Sequence, residues 1–343
     1  MSVKDSTQKH AWKNLVSKYQ KSDVLKSTWQ FVNSLLPFIV ILYLMYLSLA
    51  VGYGWTILLA FPAAGFVIRL FIIQHDCGHR SFFKSRKAND LTGALLSIFT
   101  LTPYHYWKKS HSIHHASTGN LERRGVGDIY TMTVDEYSRL SDWGKLKYRI
   151  YRNPFILFVV LPFFLFTVVY RFPSYRSKDL KPFHKSVYLT DILLGLLAGG
   201  IIWMIGLQAF LLIQIPVYFI SSTAGMWIFY VQHQFEDTYW NNSDEWNYAQ
   251  AAISGSSYYK LPKVLQWFTG NIGFHHIHHL SPKIPNYLLE KCHKENPVFQ
   301  KAVVLTLRSS LRSILLNLWD EKQEKLISFY RFKRLKREMN FVP

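Results

Sequence analysis

The chain has 343 residues, 49% hydrophobic and 17% aromatic, with 40 Lys plus Arg against 21 Asp plus Glu, a formal net charge of +19. Long uncharged apolar runs beside that charge describe membrane segments joined to a basic polar body, and exclude a nucleic-acid binder, which would be basic without such runs. Only two cysteines occur, Cys77 and Cys292, which excludes a disulfide framework, a Cys-rich zinc site and an iron–sulfur ligand set. The opening residues, Met1 to His10, are too polar for a secretory signal. With no internal repeat, low-complexity tract or Gly/Ser linker, residues 1–343 read as one domain.

Residues 1–30 are polar and basic, with Trp12, Leu15, Val16 and Tyr19 at roughly helical spacing. That suits a cytosolic helix lying on anionic lipid, or a plain solvated helix. Leu35 to Val51 is uncharged and Gly54 to Ile73 nearly so, each close to the ~20 residues that span a bilayer. Gly52-Tyr53-Gly54 leaves room only for a tight turn, so the spacing predicts a transmembrane hairpin over 35–73, with Arg69 snorkelling to the headgroups. Its second helix runs straight into His75 and His79. Residues 80–90 are polar, and Leu91 to Leu101 is apolar but too short to cross, hence re-entrant or interfacial. Pro103 then leads to His111, His114 and His115. His105, six residues before His111, falls on the opposite helical face and reads as structural.

After a polar stretch, 117–153, come three apolar runs, 154–170, 187–205 and 207–230. If all three crossed, the later histidines would lie across the bilayer from the earlier ones, and a shared centre forbids that. The run 154–170, short and interrupted by Pro162, is the one expected not to cross. The Lys- and Arg-rich segment 171–186 after it marks a cytoplasmic loop. The other two runs form a second hairpin turning near Gly206. The outer turns of the four spanning helices then carry no charge, and nearly every Lys and Arg is cytoplasmic, as is every histidine cluster. His233 lies one turn past the membrane surface, with Gln232, Gln234, Glu236 and Asp237 as acceptors that could orient imidazoles. In the tail, Val303, Leu307, Leu311, Leu315 and Trp319 have the rhythm of helices packed on a cap or on lipid, ahead of a basic block from Arg331 to Arg337.

The chemistry lies in three histidine clusters. His75 and His79 stand four apart, and His111, His114, His115 and His275, His278, His279 each form an H-x-x-H-H pattern. Residues three and four apart share a helical face, so each cluster can aim its rings at one point, and only folding can unite the three. Imidazole suits zinc, copper, iron and nickel. Eight imidazoles exceed the four ligands of one structural zinc, so two metals sharing the set is the economical reading. Cys77, two residues from His75, lies off the ligand face. The bland alternative, histidines that bind nothing, would have to hold for eight residues at once.

At these residues the sequence resembles the membrane-bound fatty acid desaturase family. The match is carried by His75-Asp-Cys-Gly-His79 with Arg80-Ser-Phe-Phe83, then His111-Ser-Ile-His-His115, then Gly270-Asn-Ile-Gly-Phe-His-His-Ile-His-His279. It runs over about residues 35–290 and is nearest in flavour to bacterial acyl-lipid desaturases of the delta-12 (omega-6) and delta-5 kind. The resemblance implies two Fe ions held by histidines, O2 as co-substrate, and removal of two hydrogens from adjacent methylenes of an acyl chain. The family's ligands carry over onto His75, His79, His111, His114, His115, His275, His278 and His279. His233 joins them as a ninth by its placement, and His276 occupies a variable position and is not expected to bind. In animal acyl-CoA members the additional histidine follows an asparagine by four residues. Phe229 stands there in this chain, so a water-mediated asparagine ligand has no counterpart.

The expected architecture is an all-α integral membrane protein. Four transmembrane helices form two hairpins (35–73 and 187–230), with re-entrant or interfacial segments. A cytosolic helical cap (75–153 and 231–343) holds a histidine-ligated dimetal centre. A bacterial cytoplasmic membrane is expected, with both termini and the active site on the cytoplasmic side. No nucleotide-binding glycine fingerprint or haem-binding extension is present, so electrons are expected from an external carrier, ferredoxin-like or cytochrome b5-like. The basic face would favour an acidic one. The expected partners are an acyl lipid or other acyl chain and the surrounding membrane lipids, with no nucleic acid. The nearest rival function rebounds oxygen instead, as in a fatty-acid or carotenoid hydroxylase or ketolase. A metal transporter would place its ligands at helix interiors within the bilayer, and a zinc hydrolase would need only three protein ligands and an open position.

Overall fold

The computed structural model describes residues 12–174 and 177–340, so residues 1–11 of the basic N-terminal stretch and Arg176 of the basic loop lie outside the described residues. Helix α1 (Val24–Ser48) starts at Asp23, whose side chain accepts from the Lys26 amide at 3.1 Å and satisfies a first-turn donor. It begins well before the uncharged run, because its first turns bury the polar side chains of Ser27 and Gln30, which hydropathy does not register. After a turn at 49–52, α2 (Tyr53–His79) carries the chain past its apolar stretch without a break and puts His75 and His79 on its last turns.

Arg69 departs from expectation. It is buried, its guanidinium stacks 3.8 Å from the Trp267 ring centroid, and it donates to Ser34 Oγ at 2.9 Å and to the Trp267 carbonyl. The arginine points inward and is satisfied by protein acceptors, as a buried cation requires.

Helix α3 (Arg86–Thr100) packs against α2 and is too short to cross, and α4 (Tyr104–Ser117) carries the second histidine cluster. The run after it is no straight span. Asp142–Tyr151 and Ile156–Arg171 are bent by 51°, with a π-turn at Ile156–Val160 and Pro162 starting the next helical turn. Helices α5 (His184–Ile205) and α6 (Leu207–His233) make the second hairpin, turning at Gly206. Its φ of +80° is cheap only without a Cβ. Four helices among the described residues are thus long and apolar enough to cross a membrane.

The cap is built on α7 (His275–Leu280) and α8 (Asn286–Glu295). In the N-terminal segment, a helix over 12–17 turns its apolar residues to protein: Val16 and Tyr19 are buried with Phe274, Ile277, Leu280 and Leu289, beneath the third cluster. The tail follows its helical rhythm only in part. Val304–Thr306 pairs in parallel with Tyr258–Lys260, and Leu318–Asp320 lies between Met132–Thr133 and Lys325–Ile327. Between them Leu307–Ser310 and Leu311–Leu315 keep short helical turns, and the basic block is helical within Phe329–Asn340. Strand partners at 132 and 258 override the local period, because strand formation depends on what lies alongside. The fold remains mostly helical.

Candidate metal centre

Helices α2, α4, α6 and α7 bring the nine singled-out histidines to one place. Ring nitrogens of His75, His79, His111, His115 and His278 lie within 4.8 Å of one another, and those of His114, His233 and His279 form a second such group. His275 adjoins the second group, with its Nε2 2.9 Å from His233 Nε2. His115 Nε2 lies 3.0 Å from both His111 Nε2 and His278 Nε2. Two nitrogens each ~2.1 Å from one ion and at right angles stand about 3.0 Å apart, so the spacing is that of ligands sharing an ion. Buried nitrogens His79 Nε2, His114 Nε2 and His279 Nε2 have no hydrogen-bond partner in the protein, a state buried polar atoms rarely tolerate. Burial first, then neighbouring imidazoles, holds His111, His115, His275, His278 and His279 well below the ordinary imidazole range, and burial does the same for His114. These six are neutral at pH 7, with lone pairs free to bind. The histidines are able to hold metal ions.

A cavity of about 410 Å³ opens onto His75, His111 and His275. One face of α2 lines it through Val67, Ile68, Phe71 and Ile72, and one face of α6 through Tyr218, Ser221, Ser222, Gly225 and Phe229. The bent segment closes it with Leu165, Phe166 and Tyr170. At ~1.5 Å of rise per residue, Val67 lies about 12 Å down its helix from His75, and Gly225 the same distance from His233. The cavity is therefore a mostly apolar shaft running along the spanning helices to the imidazoles.

The profile of the fatty acid desaturase family matches residues 49–309. The chain belongs to that family. This desaturase, an oxidoreductase and an integral membrane protein, is 45% identical over 320 residues to the fatty acid desaturase of Bacillus subtilis (strain 168), covering 93% of this chain and 90% of that one. Over 263 residues it is 26% identical to the sn-1 oleoyl-lipid 12-desaturase of Synechocystis, covering 75% and 71%. It is also 27% identical over 234 residues to the sn-1 acyl-lipid omega-3 desaturase (ferredoxin) of Synechocystis, covering 65% and 62%.

The acceptors that orient the desaturase's rings are not those expected. Gln232 donates to the Ile272 carbonyl at 3.0 Å, Gln234 accepts from Arg152 at 3.1 Å, and Glu236 and Asp237 face Lys325. Instead, the Gly255 carbonyl lies 3.1 Å from His233 Nδ1, and Asp76 Oδ1 lies 3.2 Å from His75 Nδ1. Asp76 was in plain view between the first two histidines, but its direction depends on partners far along the chain. His105 and Cys77 belong to neither nitrogen group. His276 also stays outside both, and burial pushes it down to about 3. The one Glu-x-x-His spacing, Glu290 and His293, holds no metal site either, since Glu290 is taken by Lys263 at 2.6 Å and Lys294 at 2.8 Å.

Two glycines explain the approach to the third cluster. Gly270 has a φ of +50°, and a Cβ there would meet Ile72 Cγ2 of α2 at 2.7 Å. At Gly273 a Cβ would lie 2.4 Å from the Tyr259 carbonyl oxygen. Only bare backbone passes between α2 and the 258–260 strand and still turns into α7.

Proposed function

We propose that this desaturase inserts a double bond into the acyl chain of a membrane lipid, using two iron ions, O2 and electrons from an external carrier. The observation that carries this reading is the apolar shaft ending on His75, His111 and His275. His75, His79, His111, His115 and His278 would hold one ion, and His114, His233, His275 and His279 the other. Iron bound there supplies the O2-derived oxidant that an unactivated methylene demands and no side chain provides. In the net reaction one hydrogen leaves each of two adjacent carbons. O2 becomes two waters by taking those hydrogens, two protons and the carrier's two electrons.

The protein's own part is placement. Phe71, Phe166 and Trp107 wall the chain and keep water from the reacting carbons. Trp107 also lies nearly parallel to the His111 ring, centroids 4.6 Å apart, and holds that imidazole in its plane. A lipid-borne substrate is supported by the Synechocystis relatives, whose names specify acyl lipids. An orientation with both termini and the metal centre on the cytoplasmic side is supported by the uncharged outer turns at 49–52 and 206, and a bacterial cytoplasmic membrane by the Bacillus subtilis relative.

Mass spectrometry of acyl chains from an expressing host tests the reaction: a loss of about two mass units marks desaturation, and a gain of about sixteen would replace it with hydroxylation. An acidic ferredoxin-like carrier suits the net charge of +19. At limiting ferredoxin, turnover should fall roughly tenfold or more as salt shortens the Debye length from ~30 to ~10 Å. A flat ionic-strength profile would remove the steering argument.

A further inference from the structure

Asp76 and Asn286 are each 1% exposed, and neither belongs to a histidine cluster. Asn286 donates twice to Asp76 Oδ2, from its backbone amide at 2.7 Å and its side-chain amide at 2.9 Å. The other oxygen of the same carboxylate faces His75 Nδ1 at 3.2 Å. From the other side, the Asn286 carbonyl accepts from Asn271 Nδ2 at 3.1 Å, and Asn286 Oδ1 accepts from Gln30 of α1 at 2.9 Å. Asn271 begins the loop into α7, and Asn286 begins α8 just after it. One asparagine therefore touches the first cluster and both flanks of the third through single intermediaries. The rings so linked, His75 and His278, stand 4.4 Å apart centroid to centroid.

We infer that Asn286 is a positioning residue: through Asp76 it orients His75, and through Asn271 it fixes the approach to the third cluster, so that His75 and His278 address one ion. The inference rests on the metal reading above. A carboxylate engaged at both oxygens is held in one rotamer, and an imidazole that gives its Nδ1 proton to it turns the Nε2 lone pair toward the site. Without the Asn286 side chain, the Asp76 carboxylate loses one of the two donors opposing His75 and is held only by the backbone amide of residue 286, which leaves it room to turn. Partners of this kind are worth roughly 10–100-fold in metal affinity.

The competing role is a packing latch that only ties α1 to the cap, and the Gln30 contact separates the two. Iron-loaded protein would be titrated with a chelator, reading the concentration that strips half the iron, with thermal unfolding followed alongside. For Asn286→Ala that concentration should fall roughly 10–100-fold, whereas Gln30→Ala, which cuts only the outer tie, should hold iron like wild type. Equal losses in both variants, or none in Asn286→Ala, would overturn the inference. Should Asn286→Ala not accumulate in membranes, Asp76→Asn keeps the shape while removing the charge facing His75. It should show the same weakening, and wild-type retention there would overturn the inference too. A wild type that binds no iron would instead sink the metal reading itself.

Discussion

His278→Ala should abolish the new double bond while leaving the membrane helices in place. His278 is 1% exposed, its ring nitrogens lie among the five-histidine group, and its Nε2 is 3.0 Å from that of His115. Removing a residue that merely orients a ligand costs roughly 10–100-fold, so deleting a ligand should cost about 100-fold or more. Gas chromatography–mass spectrometry of total acyl chains, with iron measured per protein, reads both consequences at once. His105→Ala is the matching control, because its ring lies outside both nitrogen groups. Unsaturated product from His278→Ala at wild-type level would refute the assignment of this residue.

Gly225→Leu should obstruct the shaft without disturbing the metal. Gly225 lines the cavity, and a Cβ built on it meets nothing within 4 Å, so a larger side chain takes space that the proposed acyl chain would fill. Its distance from the end of α6, about 12 Å along the axis, separates it from His233. Forcing extra methylenes into a packed site costs about 1–3 kcal/mol. Carried over to substrate binding, that is roughly 5–150-fold in turnover on long chains. Shorter chains that end above the obstruction should lose less, so the product distribution should shift toward them. Gly225→Ala should fall between Leu and wild type, with iron content constant throughout. An unchanged chain-length distribution for Gly225→Leu would mean that the chain does not run past α6 at this depth.

Neighbours in sequence and partners in space were unequally legible in this chain. The histidine spacings and the two hairpins follow from helix geometry and hydropathy, which act within one or two turns or one bilayer thickness. That is why α2 and α6 could be expected to end in histidines before any packing was known. How the nine rings divide could not be read, because a five-histidine group that mixes His75, His111 and His278 depends on three separate helices meeting. Arg69 looked like a snorkelling residue because its acceptor, Trp267, lies 198 positions away. The tail's four-residue apolar rhythm holds in the helical turns from Leu307 to Leu315, yet Val304–Thr306 and Leu318–Asp320 on either side became strands, since the edges offered by Tyr258 and Met132 are remote in sequence. Asp76 and Asn286 lie 210 residues apart, and their pairing exists only in the folded chain. By itself the sequence determined the histidine clusters able to hold metal and the spanning helices, because covalent proximity sets both. Only the tertiary structure decided which rings come together, what orients them and how the shaft reaches them, because those depend on close packing between segments far apart in the chain.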